Sequence, residues 1–209
     1  MVADVTRRAW PQALEVGTAG APMAGEERSG DLAVLVALAD GALVGLVDGL
    51  GHGDAAADAA AVAAEILEAH PTESPQALFD RCHTALRGTR GVVMTLVWFE
   101  LGPTPRLRWV GVGNVEARLL RADAGRGGRH AGPLVLGGVV GHQLPRGLRA
   151  STLELAAGDT VALATDGIAA DFSTGLDPRL QAQPQAELIL REHAKGGDDA
   201  LAVVARWLG

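Results

Sequence analysis

A chain of 209 residues with 48% hydrophobic and 21% charged side chains has enough apolar material for a proper core and lies far from the composition of a disordered protein. Its net charge of −7 at pH 7 argues against a nucleic-acid partner, which needs a basic face. Cys82 is the only cysteine and Lys195 the only lysine, so an internal disulfide, a cysteine-cluster zinc site and the lysine-dependent nucleotide sites of P-loop enzymes and protein kinases are excluded.

Glycine occurs 28 times, about twice its usual share of roughly 7%, which implies tight turns between short elements. The longest apolar run, Leu32 to Ala39, has eight residues, far short of the roughly 20 that cross a membrane. The first thirty residues show no basic head followed by an apolar stretch, so no signal peptide is expected. The expectation is a cytoplasmic protein, independent of membranes, forming one domain over residues 1–209.

In chain order, residues 1–25 read as mixed and turn-rich, with Gly17, Gly20, Pro22 and Gly25 spaced through them. Two strands follow, from Asp31 and from Ala42, joined by an Asp40-Gly41 turn. The second runs into Asp48-Gly-Leu-Gly-His-Gly53. An alanine-rich helix is predicted over Asp54 to Ala69, stopped by Pro71. A second is predicted from a Ser74-Pro75 start through Leu86, with Leu78, Phe79, Cys82 and Leu86 as its buried stripe. The period then changes to that of strands at Val92 to Phe99, Arg106 to Val112 and Val115 to Arg121. A polar loop spans Ala124 to Gly132 around Arg126, Arg129 and His130; any role it has beyond solvation would be docking. Strands are predicted again at Ser151 to Leu155 and Thr160 to Ala164. A last helix is expected from Pro184 to Lys195, ended by Gly196, and a last strand from Ala200 to Leu208. Helices placed at each end of a strand-rich middle indicate an α+β fold with helices covering antiparallel sheets. Trp10, Trp98, Trp109 and Trp207 are expected in the core or at its edge.

Four aspartates share one setting. Asp31 opens a strand after Gly30, Asp48 and Asp166 each end an apolar strand before a glycine, and Asp198, beside Asp199, opens the last strand. Any one Asp-Gly pair is usually a plain turn. Four carboxylates gathered at strand ends would repel one another unless a cation balanced them. An oxygen-only donor set favours magnesium or manganese over zinc.

The ordered motifs Gly30-Asp31, Val47-Asp-Gly-Leu-Gly-His-Gly53, Gly111-Val-Gly-Asn114, Ala164-Thr-Asp-Gly167 and Asp198-Asp199 resemble those of the PPM-type metal-dependent serine/threonine phosphatases. Within them the chain is most similar to the small bacterial SpoIIE/RsbU/RsbX branch, in particular the stand-alone RsbX type. The resemblance implies two packed antiparallel β-sheets flanked by α-helices and two divalent cations, manganese or magnesium, at one end. By position, Asp48 would bridge both ions and the Gly49 carbonyl would complete one shell. Asp166 and Asp198 would hold the first ion and Asp31 the second, with Asp48 and Asp166 indispensable to catalysis. A two-ion site activates water for in-line attack on phosphorus and neutralises charge on the phosphoryl oxygens. No Cys-x5-Arg signature surrounds Cys82, so no covalent cysteine chemistry is implied.

Two departures stand out. The last motif reads Asp198-Asp-Ala-Leu201 where the family continues Asp-Asp/Asn-x-Thr, and the choice of Asp198 over Asp199 as ligand rests on motif alignment alone. Gly30 stands where other PPM enzymes carry an acidic residue, as the small bacterial branch tends to, and so one ion would bind loosely. Among other candidates, His52 is either a general acid or a turn-stabilising residue, and Arg28 either meets a substrate phosphate or is solvated. Asn114 is expected to shape a turn and support the site from behind, and His83 to lie partly in the core. The function expected by resemblance is dephosphorylation of a phosphorylated STAS-domain regulator, an anti-anti-sigma factor or stressosome component. The alternatives are a catalytically weak docking module on the same fold and a hydrolase of small phosphate esters.

Overall fold

The computed structural model describes residues 9–123, 130–133 and 135–209. Its elements are β1 (Leu14–Ala21), β2 (Asp31–Leu38), β3 (Gly41–Gly49), α1 (Asp54–Ala69), α2 (Pro75–Ala85), β4 (Val92–Glu100), β5 (Arg106–Val112), β6 (Glu116–Leu120), β7 (His130–Ala131), β8 (Val135–Leu136), β9 (Ser151–Glu154), β10 (Thr160–Ala164), α3 (Ala182–His193) and β11 (Ala200–Trp207). One sheet has the order β1-β11-β10-β6-β7 and the other β2-β3-β4-β5-β8, with β9 paired to β5. All pairings are antiparallel except the short one between β5 and β8.

Side-chain alternation along the central strands explains the layering. On β4, Met94, Leu96 and Trp98 face a cluster shared with Ala60, Ala63 and Leu67 of α1 and Leu78, Phe79 and Cys82 of α2. Their neighbours Val93, Val97 and Phe99 face the second sheet, meeting Ala117, Leu163 and Val203. The far face of that sheet packs Ala162, Ala164 and Val204 against Ala182, Ala186 and Ile189 of α3. The result is a helix/sheet/sheet/helix sandwich, the α+β architecture anticipated above. Every strand buried on both faces reads as a continuous apolar run, which is why Val92 to Phe99 shows so little polarity. Trp98, Trp109 and Trp207 are buried; Trp10 packs at the core edge and donates from Nε1 to the Leu14 carbonyl at 2.6 Å.

Local signals hold well where they act alone. Ser74 Oγ accepts from the Ala77 amide at 3.3 Å and Pro75 occupies the first turn of α2, and α1 ends at Ala69 before Pro71. The principal miss is β1, which lies inside the stretch read as turn-rich. Its sequence, LEVGTAGA, alternates weakly and gains its conformation by pairing with β11 along its whole length. Three smaller differences follow from tertiary pairing. The β2–β3 connection is Ala39-Asp40, with β3 starting at Gly41. Helix α3 begins at Ala182, so Pro184 lies within its first turn. Its exit is fixed by extended Ala194, which bridges Ile168, ahead of Gly196 at φ 74°. The polar segment at 124–132 falls partly outside the described residues, Arg126 and Arg129 included; its end forms β7. No helix among the described residues is long and apolar enough to cross a membrane.

Candidate functional site

The two sheets bring the sequence-predicted aspartates to one end of the sandwich. Antiparallel pairing of β2 with β3 sets Asp31 directly opposite Asp48. In the other sheet, β10 ends where β6 and β11 begin, so Asp166, Asn114 and Asp198 meet at the same end. Asp48, Asn114, Asp166 and Asp198, with Leu50, Gly51, Val93, Gly113, Gly138 and Val139, line a cleft of about 310 Å³.

Close backbone approach requires glycine after two of these carboxylates. A β-carbon at Gly49 would overlap the Ala56 carbonyl of α1, and one at Gly167 would overlap the Asp199 carbonyl. The Asp-Gly dipeptides are therefore packing contacts that fix where each carboxylate leaves its strand, and not only turns.

Each carboxyl group has a different set of partners. Thr165 Oγ1 donates to Asp31 Oδ2 at 2.7 Å while accepting from the Leu201 amide at 2.9 Å. Asn114 Nδ2 donates to Asp166 Oδ2 at 2.7 Å. Lys195 Nζ donates to the Asp166 carbonyl at 2.6 Å, and Asp198 Oδ1 accepts from the Asp199 amide at 2.9 Å. Asp199 itself is buried and accepts from the Met23 and Gly30 amides, both at 2.7 Å. Asp199 thus ties the entry of β2 to the start of β11, whereas Asp198 faces the cleft. No described residue donates a hydrogen bond to the Asp48 carboxyl.

The electrostatics follow from this arrangement. Burial pushes Asp48 up to about 8, and the charges of Asp31, Asp166, Asp198 and Asp199 add to the rise. Burial likewise raises Asp31 to about 7; the Thr165 hydrogen bond opposes the shift, and Asp199, Asp166 and Asp198 reinforce it. Among the described residues, no group of three or more His, Cys, Asp or Glu side chains is drawn together closely enough to hold a metal ion. The donor chemistry nevertheless fits hard divalent cations. Asp48, Asp166 and Asp198 face one cleft with Asp31 paired opposite Asp48, all donors are oxygens, and Asp48 is left without a hydrogen-bond donor.

The remaining candidates sit apart. His52 Nδ1 pairs with Glu26 Oε1 at 2.7 Å, bracing the loop. Arg28 Nη1 pairs with Asp54 at 3.1 Å and Asp58 at 2.9 Å at the start of α1. His83 is half-buried and accepts through Nδ1 from the Gly141 amide at 3.0 Å. Gly30 has no room for a side chain: a β-carbon there would lie 2.8 Å from Ala56 Cβ and 3.2 Å from Asp199 Oδ2. Sequence reasoning missed Thr165. Its signal is a lone polar residue between the buried strand VALA and Asp166, a place where a hydroxyl must find partners.

A family model described as "Stage II sporulation protein E (SpoIIE)" matches residues 39–207, and the chain belongs to that family. Among solved structures, a chain described under "The bacterial stressosome: a modular system that has been adapted to control secondary messenger signaling" is 29% identical, with a TM-score of 0.82 over 92% of this chain and 99% of that one. RsbX in complex with magnesium is 20% identical, with a TM-score of 0.80 over 95% and 97% of the two chains. The serine/threonine phosphatase PstP/Ppp of Mycobacterium tuberculosis is 18% identical, with a TM-score of 0.70 over 94% and 99%. The fold is therefore that of the PP2C-type phosphatases. No curated protein matches the chain.

Proposed function

We propose that the chain is a single metal-dependent phosphatase domain acting on phosphoserine or phosphothreonine of a STAS-type regulator in bacterial stress signalling. The observation that carries this reading is the convergence of Asp31, Asp48, Asp166 and Asp198 from four strands of two sheets onto one end of the sandwich. In it, two divalent cations, manganese or magnesium, would be held by these carboxylates: Asp48 would serve both, the Gly49 carbonyl would complete one shell, Asp166 and Asp198 would hold the first and Asp31 the second. Such cations, when bound, supply Lewis-acid activation of water for in-line attack on phosphorus. The chain's own residues supply orientation: Thr165 fixes Asp31, Asn114 fixes Asp166, and Asp199 fixes the backbone on which Asp31 is mounted. Membership of the SpoIIE family and likeness to the stressosome-related chain support the partner class.

The test is release of inorganic phosphate from a serine-phosphorylated STAS domain, compared with free phosphoserine, in millimolar manganese. The proposal expects fast, manganese-dependent release from the phosphoprotein and slow release from the amino acid. Equal rates on both would favour a small-ester hydrolase. Tight binding of the phosphoprotein without turnover would favour a docking module.

A further inference from the structure

If the cleft hydrolyses phosphomonoesters, something must receive the substrate's charge. Asp48 and the four aspartates that act on it electrostatically, Asp31, Asp166, Asp198 and Asp199, outnumber the four positive charges of two divalent cations, so a dianionic phosphoryl group gains from a further cationic side chain beside them. Arg28 is held by Asp54 and Asp58 and is not free for the task. We infer that Arg90, whose guanidinium lies beside the cleft-lining Gly51, is the phosphate-receiving arginine of this site, an inference that rests on the phosphatase reading only for the identity of the ester.

The placement of Arg90 is specific. Its Nη1 lies against Gly51 so closely that a β-carbon there would overlap it, and Gly51 lines the cleft together with Asp48, Asp166 and Asp198. The backbone carrying it is clamped from both sides. The Leu50 amide donates to the Gly91 carbonyl at 3.1 Å, and His142 Nε2 donates to the Arg90 carbonyl at 2.9 Å. Val92 and Val140 exchange amide bonds just beyond, at 3.0 and 2.9 Å. The Arg90 guanidinium is exposed and has no carboxylate or hydrogen-bond partner among the described residues. A fixed backbone, a free fork of donors and a neighbour with no side chain together make a ready bidentate site for phosphate oxygens. The glycine of the Asp48-Gly-Leu-Gly51 loop then has a second purpose, leaving room for the guanidinium to lie over the loop.

The experiment is calorimetric titration of inorganic phosphate into the manganese-loaded protein, for the unaltered chain, Arg90→Ala, Arg90→Lys and the control Arg87→Ala. The same variants are assayed on an aryl phosphate, with melting curves to confirm folding. Arg90→Ala should weaken phosphate binding tenfold or more and raise KM in parallel, with kcat changed less than about threefold. Arg90→Lys should recover part of the loss, and Arg87→Ala should match the unaltered chain. Phosphate affinity unchanged in Arg90→Ala, or no phosphate binding by the unaltered chain, would overturn the assignment. Arginine-dependent phosphate binding by a protein that hydrolyses no phosphate ester would leave the assignment standing and remove the phosphatase reading instead.

Discussion

At the scale of single residues, the site is organised around an acid that nothing in the protein stabilises as an anion. Asp48 is raised to about 8 and Asp31 to about 7, first by burial and then by the other carboxylates. Because the unfolded chain holds these groups near 3.8, the folded metal-free protein binds more protons, and the linkage sign is fixed. Their contribution to stability is fully present below about pH 4 and is lost as pH rises through about 7 and 8. Asp48→Asn removes the larger part of this dependence. In chelator, the melting temperature of the unaltered chain should therefore fall between pH 6 and pH 9 more steeply than that of Asp48→Asn, which should be the more stable of the two at pH 9. Parallel pH profiles would contradict the account. Manganese binding must displace these protons, so affinity should rise over the same interval. Thr165 belongs to this scale as well. Thr165→Val strands the Leu201 amide and frees Asp31, and should lower stability by about 1–3 kcal/mol and weaken manganese binding. Thr165→Ser should restore both; equal loss in the two variants would mean that the hydroxyl alone does not account for the role of Thr165.

At the scale of elements, the loops between strands are held by contacts that also define which carboxylates are free. Asp199 accepts from Met23 and Gly30, and Asp198 turns toward the cleft. The two adjacent aspartates should therefore separate cleanly on mutation. Asp199→Ala leaves two backbone amides without their acceptor and should lower stability by about 1–3 kcal/mol for each. Asp198→Asn should keep the melting temperature and lose manganese affinity in calorimetry. The reverse pattern would reassign the ligand to Asp199. Gly49→Ala tests the packing of α1 on β3: overlap with the Ala56 carbonyl should destabilise the protein by about 1–3 kcal/mol, visible as an earlier unfolding midpoint in urea.

At the scale of the whole molecule, local chemistry made some features legible and long-range pairing hid others. Asp48-Gly-Leu-Gly-His-Gly53 before an alanine-rich helix marks a strand end and a helix start, realised as the end of β3 and the start of α1, whereas the close approach of Gly49 to Ala56 is visible only in the fold. Ser74 and Pro75 define a helix start without outside help. By contrast, β1 carries small residues because α3 lies close against it, as the overlap of a Gly17 β-carbon with Gln183 demonstrates. That contact spans 166 positions and leaves no local strand signal. Separation in sequence also hid Thr165, whose partners Asp31 and Leu201, 134 and 36 positions away, come from two other strands. Arg28 stood nearer the first aspartate in sequence, yet α1 supplies the two carboxylates that occupy it.

The central claim is that this end of the sandwich is a two-cation hydrolytic site. Its most direct test is hydrolysis of an aryl phosphate by the purified chain, with and without millimolar manganese, beside a folded Asp48→Asn protein. The account predicts turnover that requires manganese and is abolished in Asp48→Asn while its melting curve stays cooperative. Turnover that survives in chelator, or that Asp48→Asn retains, would place the chemistry elsewhere and contradict it.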